Sequence, residues 1–143
     1  MVDVGDFIAK LPMIRPWLEP RVPRSPDEGE FRQSPAQLER YESFSHCINC
    51  MLCYAACPQY GLDRKFLGPG LTALLHRYNE DSRDGGQAAR MEVAGSEAGV
   101  FSCTAVGYCS EVCPKAVDPA NAVNINKTRA AAGWLARWLR RGG

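Results

Sequence analysis

Apolar positions recur at helical intervals along most of this chain, and nowhere do they alternate long enough to suggest a strand. The clearest stretch is Pro69-Gly-Leu-Thr-Ala-Leu-Leu-His-Arg-Tyr, with apolar residues at 71, 74, 75 and 78. Short helices are also predicted over residues 3–12, interrupted by Pro12 and Pro16, and over residues 87–94 after the polar turn Asn79-Glu-Asp-Ser-Arg-Asp-Gly-Gly. Ser34-Pro35-Ala-Gln-Leu-Glu opens a helix with Ser as N-cap and Pro at the first helical position, and that helix leads to Cys47. Helical turns are expected around Cys50–Cys57. Asp118-Pro119 repeats the cap pattern and opens a long final helix to about residue 140. Residues 17–33 are rich in Pro, Glu and Arg without periodicity and read as an extended wrapping segment. The prediction is an all-α fold. Residues 1–33 form a leading helix and linker, and residues 34–143 form a domain of short helices.

The last helix is unevenly polar. No acidic residue follows Asp118, whereas Lys127, Arg129, Arg137, Arg140 and Arg141 are basic, and Trp134, Leu135, Trp138 and Leu139 form an apolar stripe. Two readings follow. The stripe meets a membrane surface or a membrane subunit, or it packs on the chain's own core.

Composition narrows the class. The 143 residues leave room for one compact domain, and a net charge of +1 with 45% apolar residues gives no global pull toward nucleic acid. No apolar run approaches the roughly 18–20 residues a membrane span needs. The N-terminus carries acids early and lacks the basic start of a signal peptide, so a soluble cytoplasmic chain is expected.

Seven cysteines are an odd number, which cannot close into a complete set of internal disulfides. The first four form Cys47-x2-Cys50-x2-Cys53-x3-Cys57-Pro58, the bacterial ferredoxin spacing. In that pattern three thiolates wrap one cluster, and the fourth, a helical turn later, reaches the other. The proline after it is expected to let the chain leave the helix. The second run, Cys103-Thr-Ala-Val106-Gly-Tyr-Cys109-Ser-Glu-Val-Cys113-Pro114, repeats this spacing with valine in place of one cysteine. The cross-ligation rule assigns Cys47, Cys50, Cys53 and Cys113 to one cluster, and Cys57, Cys103 and Cys109 to the second, with Val106 at the missing corner. The first is then [4Fe–4S]. The second is [3Fe–4S], or a [4Fe–4S] group with water or a non-cysteine ligand on its fourth iron. Structural zinc is disfavoured, because one tetrahedral ion calls for four ligands in two spaced pairs. Clusters would replace part of the hydrophobic core, so the metal-free chain is expected to be unstable.

The two runs resemble those of the iron–sulfur subunit of fumarate reductase and succinate dehydrogenase. The resemblance includes residues 47–61, His-Arg-Tyr-Asn-Glu-Asp-Ser-Arg-Asp over 76–84, residues 102–115 and Val-Asp-Pro-Ala over 117–120. It implies an α-helical ferredoxin-like domain with the same ligand assignment as above. It further implies an electron relay between an FAD-bearing flavoprotein subunit and a quinone held against membrane anchor subunits, peripheral on the cytoplasmic face of a bacterial inner membrane. No catalytic residue is expected in this chain alone. Lys127 holds the position of a lysine at the family's quinone site, where a cation would stabilise an oxyanionic quinone intermediate. Asn124 and Thr128 depart from the glutamines expected nearby. Thr104 and Gln59-Tyr60-Gly61 look like the fumarate-reducing branch. Family members also carry a plant-type [2Fe–2S] domain, but no cysteine precedes Cys47. The expectation is therefore half of a longer or split subunit, or a truncated product, with [2Fe–2S] supplied elsewhere. The alternatives are an iron–sulfur subunit of an anaerobic glycerol-3-phosphate dehydrogenase or heterodisulfide reductase-like complex, which usually keeps all eight cysteines, and a free ferredoxin-like carrier.

Overall fold

The computed structural model describes residues 3–142; Met1, Val2 and Gly143 lie outside it, as do the side chains of Pro26 and Arg141. The described residues form nine α-helices and no strand, as the periodicity predicts. At the centre is α6 (Pro69–Glu80), preceded in the chain by α1 (Gly5–Lys10), α2 (Pro35–Glu39), α3 (Glu42–Ser45), α4 (Leu52–Ala55) and α5 (Pro58–Leu62). Then come α7 (Gln87–Ala94), α8 (Tyr108–Glu111) and the long α9 (Pro119–Arg141). Nearly every face of α6 is buried. It packs chiefly on α9, and also on α3, α7, α4 and the 3-10 turn Leu11–Ile14. Leu71, Leu75, Ile14, Phe66, Leu67, Val100 and Val123 form the main core. Thr72 sits there by bonding back to the Gly68 carbonyl at 2.9 Å.

The predicted caps form. Ser34 and Gln37 make a reciprocal capping box at α2, and Asp118 accepts from the Asn121 N–H at the start of α9. Three boundaries differ from expectation. Pro12 does not stop the first helix outright, because the chain tightens into a 3-10 turn through Ile14. The helix leading to Cys47 breaks into α2 and α3, since Tyr41 leaves the helical region at φ −131°, ψ −3°. Pro58 does not release the chain from helix. It opens α5 at the first helical position, where its missing N–H costs nothing, with Cys57 as N-cap.

The wrapping segment is anchored more firmly than its composition suggests. Arg90, fully buried, donates two hydrogen bonds to Asp84, at 2.6 and 2.9 Å, and two more to the carbonyls of Arg15 and Trp17. Asp84 also accepts from the backbone N–H groups of Glu19 and Gly86. Pro20 bridges Asp84, with Arg21 N–H donating to the Arg83 carbonyl and Gly85 N–H to that of Glu19. A buried ion pair with every polar atom engaged holds its place because breaking it strands a charge. The segment predicted as a polar turn is thus a buried junction. A second polar clamp joins α6 to α9. Glu80 takes Arg40 and Arg129, and Asn126 lies 3.3 Å from His76 Nδ1.

Candidate metal centres

Each cysteine run is a loop followed by one helical turn, and the two loops share one backbone shape. A single constant offset carries Cys47 onto Cys103, Cys53 onto Cys109 and Cys57 onto Cys113. Under it Asn49 (φ 52°) matches Ala105 (φ 59°), and Met51 (φ 65°) matches Gly107 (φ 90°). Left-handed residues at alternate positions curl the chain so that successive thiols face inward. The same offset carries α4 onto α8, and their C-caps agree, Ala56 at φ −85°, ψ −6° and Val112 at φ −81°, ψ −1°. The match in spacing therefore extends to the backbone. Val106 stands where Cys50 stands.

Matching positions also do matching work beyond the thiols. Tyr54, on α4, donates its hydroxyl to the Leu67 carbonyl and accepts the Leu71 N–H at 3.1 Å, in the first turn of α6. Its counterpart Ser110, on α8, donates to Asp118 and accepts the Ala120 N–H at 3.0 Å, in the first turn of α9. Each loop is thus tied by a hydroxyl to the start of a long helix. Space for the Tyr54 ring depends on Gly68, whose added Cβ would lie 2.1 Å from that ring. Sequence reading missed this pair. Carrying the overlay of the two runs to every hydroxyl-bearing position would have pointed to it.

The thiols gather around two pockets that open in part to solvent. Cys47, Cys50, Cys53 and Cys113 line one, together with Phe7, Gly70 and Ala73. Cys57, Cys103 and Cys109 line the other, with Val106 in its wall. Each loop thus contributes its last cysteine to the cavity of the other, the grouping that the ferredoxin spacing predicts. Among the described residues no three His, Cys, Asp or Glu side chains converge as ligands of one ion. The thiols surround a volume and do not meet at a point, which suits a multi-iron group better than zinc.

The thiols influence one another within each group and, at Cys53, between the groups. Burial pushes Cys53 up to about 12, with Cys47, Cys109 and Cys50 adding to the rise. Cys47 is raised by burial and by Cys113 and Cys50, and Cys109 by burial and by Cys103 and Cys57. These thiols hold their protons at neutral pH, and a metal group must displace them. Lys127 donates from Nζ to the Cys103 carbonyl at 2.7 Å, so it sits part-buried against the second loop and is no freely solvated lysine. The apolar stripe does not pack on the core: Trp134, Leu135, Trp138 and Leu139 are all exposed. No helix among the described residues is long and apolar enough to cross a membrane.

Comparison with known proteins agrees with this geometry. A family model described as a 4Fe-4S dicluster domain matches residues 40–114. The fumarate reductase iron–sulfur subunit of Mycobacterium tuberculosis is 51% identical over 139 residues, covering 97% of this chain and 56% of that protein. A mitochondrial succinate dehydrogenase iron–sulfur subunit of rice is 36% identical over 132 residues, covering 90% of this chain and 42% of that protein. Among solved structures, a chain of the Mycobacterium smegmatis Sdh1 complex in the apo form superposes with a TM-score of 0.81 at 27% identity, over 92% of this chain and 55% of that one. The chain thus spans a little over half the length of the fumarate reductase subunit and of the Sdh1 chain.

Proposed function

This chain belongs to the 4Fe-4S dicluster domain family and is similar over most of its length to fumarate reductase iron–sulfur subunits. On that premise we propose that it is the two-cluster part of an iron–sulfur electron-transfer subunit in a quinol:fumarate reductase or succinate:quinone oxidoreductase. The observation that carries this reading is the pair of cavities, one lined by four thiols and one by three. Cys47, Cys50, Cys53 and Cys113 would hold [4Fe–4S], and Cys57, Cys103 and Cys109 would hold [3Fe–4S]. Such groups supply one-electron carriers that link a flavin to a quinone.

The chain's own residues set the conditions for that chemistry. Phe7, Met51 and Tyr54 keep solvent from the inner side of the first loop. Val106 offers a hydrocarbon surface where a fourth thiolate would otherwise stand. Lys127, fixed on the Cys103 carbonyl, places a positive charge beside the three-thiol cavity, where it would favour an anionic quinone intermediate. The partners in this reading are a flavoprotein subunit and membrane anchor subunits, at the cytoplasmic face of the inner membrane. A [2Fe–2S] group would come from sequence outside this chain. The higher identity to the fumarate reductase subunit favours that branch.

Anaerobic reconstitution tests the assignment. The expected result is about seven iron and eight sulfide per chain, with the paramagnetic signal of an oxidised three-iron centre. About eight irons without that signal, or zinc alone, would refute the three-iron assignment.

A further inference from the structure

The C-terminal end of α9 stands apart from the rest of the fold. The helix is held as far as Ala130 by Asn126, Arg129 and the small residues facing α6 and α7. From Ala131 onward no described side chain is buried: Trp134 is 61% exposed, Leu135 49%, Trp138 60% and Leu139 61%. This arm has two unlike sides. At about 100° per residue, Trp134, Trp138, Leu135 and Leu139 occupy an arc of about 140°, and Arg137 and Arg140 lie near its opposite side. Neither arginine makes an ion pair among the described residues, whereas Lys127 and Arg129 further back are engaged with the Cys103 carbonyl and Glu80.

Charge decides what this arm meets. From Pro119 to Gly143 the chain has five basic residues and no acidic one, while the rest of it holds more acids than bases. A protein groove would satisfy the apolar arc but gives no reason for so one-sided a polar face. An anionic bilayer surface satisfies both, because indole rings settle at headgroup depth and arginines reach up to lipid phosphates. The arm is also too short and too charged to cross a bilayer.

We propose that residues 131–140 form an amphipathic arm that lies in the headgroup layer of an anionic membrane, with the Trp134–Leu139 arc buried and Arg137 and Arg140 against lipid phosphates. This lipid contact is distinct from any contact with membrane anchor subunits and does not depend on them. It does not rest on the assignment of either metal group.

The test is flotation of the full, cluster-loaded chain with vesicles of pure phosphatidylcholine and with vesicles containing phosphatidylglycerol, with cluster content checked separately by iron analysis. Binding is expected to the anionic vesicles and to weaken as salt rises. Arg137→Gln with Arg140→Gln should lower the affinity more than tenfold, on the basis of about fivefold per charge near such a surface. Trp134→Ala with Trp138→Ala should abolish flotation while leaving the iron content unchanged. Equal binding to both vesicle types, or flotation that survives the tryptophan variant, would overturn the proposal. So would a loaded chain that floats with neither vesicle type, or one that self-associates through the arm and loses that association in the tryptophan variant. Failure to load clusters would count against the functional reading above and leave the vesicle result to be judged on its own.

Discussion

The two cysteine loops share one backbone shape but differ in how deeply they are anchored. The first is fixed in the core at Met51 and Tyr54, both buried, and the hydroxyl that ties it to α6 lies in the interior. At the matching positions of the second, Gly107 and Ser110 are only half-buried, and the hydroxyl tie is made by the shorter Ser110. Matching backbone geometry at a constant offset shows that the loop shape is set locally, by left-handed residues at alternate positions and a capped helical turn. What differs, the number of thiols and the degree of burial, is left to individual side chains. One fold unit thus serves twice, and single residues give each copy its character.

Exchanging the deciding residues breaks that distinction outright. Val106→Cys should erase the oxidised three-iron signal and raise iron to about eight per chain. Cys50→Val should do the converse and give the first loop a three-iron signal of its own. Electron paramagnetic resonance with iron analysis measures both. An unchanged signal in Val106→Cys would show that position 106 does not face the open corner.

The comparison also requires that the segment between the loops keep them in place, and the next largest effect lies there. Asp84→Asn would leave Arg90 buried without its countercharge, an expected loss of about 3–5 kcal/mol, read as a lower denaturation midpoint of the loaded chain. Acid should weaken the same segment in two stages. Burial raises the Asp84 carboxyl, but Arg90 and the Glu19 and Gly86 N–H groups outweigh it and hold it below the usual carboxylate range. Its contribution is therefore present above about pH 4–5 and lost as pH falls through the lowered native value. His76 acts earlier. Burial keeps it neutral, with its native value lowered to about 4, so stability should decline from about pH 6.5 downward as the unfolded chain takes up a proton. In a His76→Gln variant the decline should begin only at the lower pH.

Removing the hydroxyl ties probes the difference in burial. Tyr54→Phe strands the Leu71 N–H and the Leu67 carbonyl in the interior and should cost about 1–3 kcal/mol. Ser110→Ala, at a more exposed site, should cost about 1 kcal/mol or less. Equal costs would mean that the two loops are equally embedded. Backbone substitutions in the second loop give effects of similar size, down to none. Gly107→Ala meets no atom but must adopt φ 90°, an expected loss of about 1–2 kcal/mol. Ala105→Gly, at φ 59°, should be neutral or slightly stabilising. Denaturation midpoints measure all four.

Much of this was legible in the chain itself. The thiol grouping follows from spacing, because the ferredoxin loop is a local structure whose ligands are counted along the sequence. The caps at Ser34 and Asp118 were readable for the same reason. The Arg90–Asp84 junction was not, because Asp84 lies in a run of polar residues that looks like a solvated turn. Its partners Arg15, Trp17 and Glu19 lie far earlier in the chain, and no periodicity links them. Lys127 could be placed on its helix by sequence, but its bond to the Cys103 carbonyl depends on how α9 folds back over the second loop. The fate of the tryptophan stripe depended on where the core ends along α9, which is a property of packing.

The exchange of last cysteines between cavities has a consequence for biosynthesis. Cys47, Cys50 and Cys53 leave the ribosome together, but Cys113, the fourth thiol of their cavity, follows only after the whole of α5, α6, α7 and α8. At about 5–20 residues per second, that separation amounts to a delay of roughly 3–12 seconds. During that interval the first loop is chemically complete along the chain yet open in space. Cys57 likewise waits for Cys103 and Cys109. Neither site can close on the nascent chain before Cys109 has been made, and Cys113 follows it by one helical turn. Both therefore become able to close at nearly the same point of synthesis.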